Sequence, residues 1–309
     1  MERIAYKGWP NCYRLANGLV ELVVTADVGP RIIRFGLVGG ANQFKEYEEM
    51  LGATGGAEWR IYGGHRLWHA PEAWPRTYAP DNGPVRVEPL GEGVRLVQPT
   101  EPDTGIQKEM EVALAPSRAA LRVTHRLCNH NPWAVELAPW ALSVMAPGGR
   151  AIIPLPRRQT HAENLCPVSK VVLWAYTDMS DPRFTWGHEY VLVQQDPEAE
   201  TPQKIGATVP DGWLAYARDG MLFVKQFACH EAAKYPDLGA CAEVWVDRDM
   251  LELESLGPLA VLKPEEAVEH VEHWLLMEAE APLTEADVVR DTLPRIKRAL
   301  SAELTFPQP

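Results

Sequence analysis

The chain is written in short runs whose apolar residues recur at every second position. Over 106–114, Ile106, Lys108, Met110, Val112 and Leu114 fall on one side, and Gln107, Glu109 and Glu111 on the other. Over 120–127, Leu121, Val123, His125 and Leu127 oppose Arg122, Thr124 and Arg126. A period of two belongs to an extended strand, whose successive side chains point to opposite faces. Residues 18–38 read as two strands about the turn Ala26-Asp27-Val28-Gly29-Pro30. Further strands are predicted at 85–89, 93–98, 135–145, 212–217, 221–229, 242–247, 250–256 and 267–277. The 27 prolines suit many strands and long connections, read as loops over 146–170 and 177–211, because proline is poor inside helices and central strands. Only the end reads as helix. Thr284 with Asp287 makes a capping-box start, and Val289, Leu293, Ile296 and Leu300 recur at helical spacing, with Pro294 expected to kink the run. No repeat or low-complexity linker divides the chain. The pattern predicts one all-β domain over 1–280 with a helical tail, 281–309, packed on it.

Charge and cysteine usage bound the partners. A net charge of −12 leaves no basic stripe for nucleic acid and no polybasic patch for an anionic membrane. No apolar run reaches the ~18 residues of a membrane span, and Met1–Tyr6 has no apolar signal segment. The five cysteines, Cys12, Cys128, Cys166, Cys229 and Cys241, are scattered and lack CxxC spacing. Reduced thiols and a cytoplasmic location are therefore expected, with neither a disulfide framework nor structural zinc.

The stretch densest in chemistry is Gly63-Gly64-His65-Arg66-Leu67-Trp68-His69-Ala70-Pro71-Glu72. Its glycines and proline predict an irregular crossing between strands that splays His65, Arg66, Trp68 and His69 into a common space. The plain alternative is a rim loop with Trp68 plugging a core edge. His65 and His69 stand four apart, as in a zinc-binding His-Glu-x-x-His helix, but Arg66 replaces the glutamate and the flanks oppose a helix. Phosphate-loop, dinucleotide and Gly-x-Ser-x-Gly patterns are absent. In 251–258, Glu252 and Glu254 share a strand face. A solvated face would explain them, yet a glutamate opposite an imidazole also suits general acid–base work. His125 points inward and is read as a hydrogen-bonded core residue. Lys225 falls between Phe223 and Phe227 on one face, and Tyr235-Pro236-Asp237 caps the following loop. Eleven tryptophans exceed what a core usually needs and could floor a sugar site, since an indole stacks on the C–H face of a pyranose.

Several segments together resemble the galactose-mutarotase-like, or aldose 1-epimerase, superfamily. They are Asn17–Leu22 with Gly29–Ile33, the Asn turn in Leu127-Cys128-Asn129-His130-Asn131-Pro132-Trp133, and Glu254 followed by Leu259–Glu266. The resemblance covers roughly residues 10–280 and points to an uncharacterised bacterial branch. It implies a large antiparallel β-sandwich with a sugar groove on its concave sheet, and Glu254 as the base that takes the anomeric proton. The family's catalytic His after the Asn turn has no counterpart in Pro139–Ser143. The proton donor would then be His65, His69 or His161. Arg66, Trp68, Lys225, Tyr235 and Asp237 would bind the sugar. The expected activity interconverts anomers without cofactor or metal, the alternative being a non-catalytic carbohydrate-binding protein. The small-molecule partner would be a carbohydrate, and the oligomeric state stays open.

Overall fold

A computed structural model describes residues 1–302 and 306, so the last part of the expected tail lies outside the described residues. Two antiparallel sheets face each other. The eleven-stranded sheet begins at Glu2–Tyr6 and Trp9–Ala16 and runs through Val20–Thr25, Arg31–Leu37 and Gly64–Ala70 to Val135–Met145. It continues through Leu251–Leu256, Ala242–Val246 and Gln203–Ala207 to Val171–Leu173, with Ala260–Leu262 beside the start of Val135–Met145. The ten-stranded sheet has Trp213–Arg218, Met221–Phe227, Ala267–Glu278, Ala120–Asn129 and Ile106–Leu114 at its centre. Arg86–Leu90 and Phe184–Trp186 form its two edges.

The alternating runs become strands because each can bury one face against the opposite sheet. Between the sheets, Phe35, Phe44, Phe223 and Trp274 pack edge to face, with Phe223 and Trp274 ring centres 5.4 Å apart. The tail covers the outer face of the ten-stranded sheet, where Val288 and Ile296 join Leu192, Trp213 and Leu275. Thr284 and Asp287 form the capping box, and a π-turn over Val288–Thr292 precedes the last helix, Leu293–Ser301. Pro294 thus sits in a first turn, where its missing N–H costs nothing.

Three expectations are corrected. The 63–72 stretch is no loop: Gly64–Ala70 is a strand with all seven residues buried. Both its faces are covered, so polar side chains serve two different environments and no apolar alternation is visible. Gly63 and Gly64, at φ +98° and +73°, turn the chain into it; a Cβ on Gly64 would stand 2.4 Å from the Ile32 carbonyl oxygen. The connections over 146–170 and 177–211 also contain strands: Arg150–Pro154, Phe184–Trp186, Tyr190–Gln194 and Gln203–Ala207. Tyr190–Gln194 is apolar on both faces and therefore shows no period of two. Finally, Cys229 and Cys241 are joined as a disulfide, their Cα atoms 6.1 Å apart. The loop between two strand ends folds back to bring them together, which their spacing does not announce. No described helix is long and apolar enough to cross a membrane.

Candidate functional site

Strand register decides which side chains can meet. Leu142 pairs with Arg66 on one side and with Glu254 on the other. Glu254 pairs with Glu243, and Glu252 with Trp245, which in turn pairs with Lys204. Directly paired residues share a face. Arg66, Trp68, Trp140, Lys204, Glu243, Glu252 and Glu254 therefore gather on the outer face of the eleven-stranded sheet. Their neighbours His65, Ser143 and Ser255 face the other sheet.

On the outer face, Trp140 donates its indole N–H to Glu254 Oε2 at 2.8 Å, and Lys204 Nζ donates to the same oxygen at 3.1 Å. Lys204 also lies 2.7 Å from Glu243 Oε2. Its ammonium is held between the rings of Trp140 and Trp174, 4.7 Å from each. Gly206 makes room for this, since a Cβ there would crowd Trp174 at 3.2 Å. Arg66 approaches Glu252 to 2.7 Å and lies 4.5 Å over the Trp68 ring.

All these charged groups are buried, and several polar atoms have no hydrogen-bond partner: Arg66 Nε and Nη1, Glu254 Oε1 and Glu243 Oε1. Buried polar groups are normally satisfied, so such a concentration makes this cluster the candidate site. Burial raises the Glu254 pKa, although Lys204 opposes the rise. Burial lifts Glu243 further, well above the ordinary carboxylate range. Burial pulls the Lys204 pKa down, but the Glu254 and Glu243 charges outweigh it and raise it. Of the two carboxyls that share one ammonium, Glu243 is the one held further toward its protonated form.

No family model matches the sequence, and no curated protein matches it. Solved structures do. A protein from Synechocystis superposes with a TM-score of 0.58 at 12% identity, over 90% of this chain and 100% of its own. A galactose mutarotase-like protein from Lactobacillus casei gives 0.52 at 8% identity, over 86% and 100%. A galactose mutarotase related enzyme from Lactobacillus acidophilus gives 0.52 at 9% identity, over 88% and 100%. This chain has the galactose mutarotase-like fold.

Within that mutarotase-like sandwich, the expected site residues divide between two faces. Glu254, Arg66 and Trp68 come together on the outer face. Asp237 is half-buried in the 229–241 loop, near enough for its charge to help raise Glu243. Tyr235 anchors that loop by accepting the His230 backbone N–H at 2.8 Å. Trp68 is buried beneath the Arg66 guanidinium, so it backs the site rather than offering it an open ring face.

His65, His69 and Lys225 do not join Glu254. A strand alternates its faces, so the neighbours of Arg66 point between the sheets. There, His125 donates Nδ1–H to the His270 carbonyl at 3.0 Å, which makes its Nε2 an acceptor. His65 Nε2 donates to that atom at 2.7 Å, and Ser143 donates to His65 Nδ1 at 2.9 Å. Lys225 Nζ lies 3.0 Å from Glu272 Oε1 and donates to the Leu253 carbonyl at 2.9 Å. Ser255 and Trp274 also donate to Glu272. His65, His125 and Glu272 are close enough to hold a metal ion. Each already has protein partners, however, and Lys225 supplies positive charge to Glu272. His69 lies 3.6 Å from Glu101, which Lys108 approaches to 2.5 Å. His161 stands in an exposed stretch.

Sequence reasoning missed Glu243, Lys204 and the backing role of Trp140. Glu243 was within reach: in the predicted strand 242–247 it shares a face with Trp245. Lys204 fell in a stretch read as loop.

Proposed function

We propose that the chain is an aldose 1-epimerase-like enzyme that interconverts the anomers of a sugar at the outer-face carboxylates. The observation that carries the reading is the cluster of Glu254, Glu243, Lys204 and Arg66, buried beside Trp140 with polar atoms unpartnered. Ionised Glu254 takes the proton from the anomeric hydroxyl. Protonated Glu243, rather than a histidine, gives its proton to the ring oxygen as the C1–O5 bond breaks. C1 rotates in the open aldehyde. Closure then reverses both transfers, leaving each carboxyl as it began. Lys204 touches both carboxylates and holds their opposite protonation states. Arg66 Nε and Nη1 are suited to sugar hydroxyl oxygens.

One observation favours a binding-only protein: no imidazole is bonded to any member of this cluster among the described residues. Exchange spectroscopy by NMR separates the two readings. Anomer exchange of glucose, galactose or mannose above the buffer rate supports the enzyme. Binding without faster exchange supports the carbohydrate-binding protein, and neither effect with any sugar removes both.

A further inference from the structure

Beside the carboxylate cluster lies a separate cleft of about 980 Å³, walled by Trp59, Trp74, Tyr78 and Trp133 with Arg76 and Asp103. Trp74 and Trp133 are 78% and 63% exposed. Single exposed apolar residues need no explanation, but two bare indoles on one concave surface do. The cleft and the cluster share a wall of packed rings. Trp74 lies 5.1 Å from Tyr78, and Tyr78 lies 5.1 Å from Trp68. Trp59 is 5.4 Å from Trp68, and Trp68 is 5.3 Å from Trp140, the donor to Glu254. The Trp59 indole N–H is buried and has no hydrogen-bond partner.

We infer that this cleft is a second sugar subsite, taking the neutral unit linked to a reducing sugar whose anomeric carbon lies at Glu254. The inference rests on the proposed function and narrows its substrate class to short neutral oligosaccharides. Indole faces stack on the C–H faces of pyranose rings, while the polar rim meets their hydroxyls. The volume is at the upper end of ligand clefts, about 300–1,000 Å³, and leaves room for more than one ring. Glu58 and Asp103 on the wall, against Arg76 alone, disfavour an anionic polymer.

The test is calorimetric titration of the full chain with three pairs: glucose and maltose, galactose and galactobiose, mannose and mannobiose. A Trp74→Ala/Trp133→Ala double variant is titrated alongside. The expected result is at least one disaccharide bound about tenfold more tightly than its own monosaccharide, the worth of one stacked ring. The double variant should lose that gain and keep its monosaccharide affinity. Equal affinity within every pair, or a gain that survives in the double variant, overturns the inference. So does a wild type that sediments as a dimer which the double variant dissociates, because the indoles would then cover a second copy. Monosaccharide anomer exchange without any disaccharide gain sinks the subsite alone. No binding and no exchange with any of the six sugars sinks the sugar reading with it.

Discussion

Glu254 and Glu243 are chemically alike, and their surroundings separate them. Trp140 and Lys204 both donate to Glu254, whereas Glu243 has only the ammonium nearby and Asp237 adding negative charge. The expected pH–rate profile is a bell. Activity falls on acidification as Glu254 takes a proton, at a pH above the ordinary 4.5 because burial raises its pKa. It falls on the alkaline side as Glu243 loses its proton, since burial lifts that pKa further. Glu243→Gln should lower the rate by about 10²–10⁴ and abolish the alkaline limb; an unchanged limb would remove Glu243 from the chemistry. His65→Asn should leave the rate within the same order of magnitude, because His65 faces the other sheet. Its effect should be a stability loss of about 1–3 kcal/mol, read by urea unfolding, from disturbing the Ser143–His65–His125 chain. Glu254 was legible as a residue, since both its strand alternation and the resemblance single it out. The direction of His65 was not. Deciding it required knowing that Gly64–Ala70 is a strand, and the flanking glycines and proline argued for a loop.

At the scale of elements, the Gly64–Ala70 strand and the buried network behind it hold the site's geometry. Gly64→Ala adds a Cβ 2.4 Å from the Ile32 carbonyl and forces a residue with a side chain to φ +73°. It should cost about 1–3 kcal/mol or more, or prevent folding, as measured by chemical denaturation. Lys225→Met removes the cation paired with Glu272 between the sheets. A loss of about 3–5 kcal/mol is expected, and a neutral result would contradict the pairing. His270 is neutral in the fold: burial depresses it to about 3 from an ordinary 6.5. As pH falls from about 6.5 toward 3, the unfolded chain gains a proton that the folded chain refuses, and stability is lost. Relative to His270→Gln, the wild type should therefore lose up to about 1.4 kcal/mol per pH unit in that window. Parallel stability curves for the two proteins would contradict this. Element reading from sequence succeeded where one face is buried, as at Ala120–Asn129, whose alternation survives, and at Ile106–Leu114, although Glu109 and Ala113 are buried as well. It failed where both faces are covered, as at Tyr190–Gln194, and at Gln203–Ala207, which carries Lys204.

At the scale of the molecule, two antiparallel sheets pack face to face, and a helical tail covers one outer face. The other outer face holds the carboxylates. The all-β class followed from the period of two alone. Glu243 and Glu254 meet because their strands are consecutive, but Lys204 comes from Gln203–Ala207, distant in the chain and adjacent in the sheet, which no local pattern reveals. The central claim is that Glu254 acts as a base on a sugar there. Its most direct test is anomer exchange by NMR in the wild type and in Glu254→Gln, with the sugar the wild type turns over. The account predicts a fall of about 10²–10⁴ in the exchange rate, with sugar affinity changed far less because the amide still holds a hydroxyl. A Glu254→Gln protein that folds, binds the sugar and exchanges anomers at the wild-type rate would contradict it.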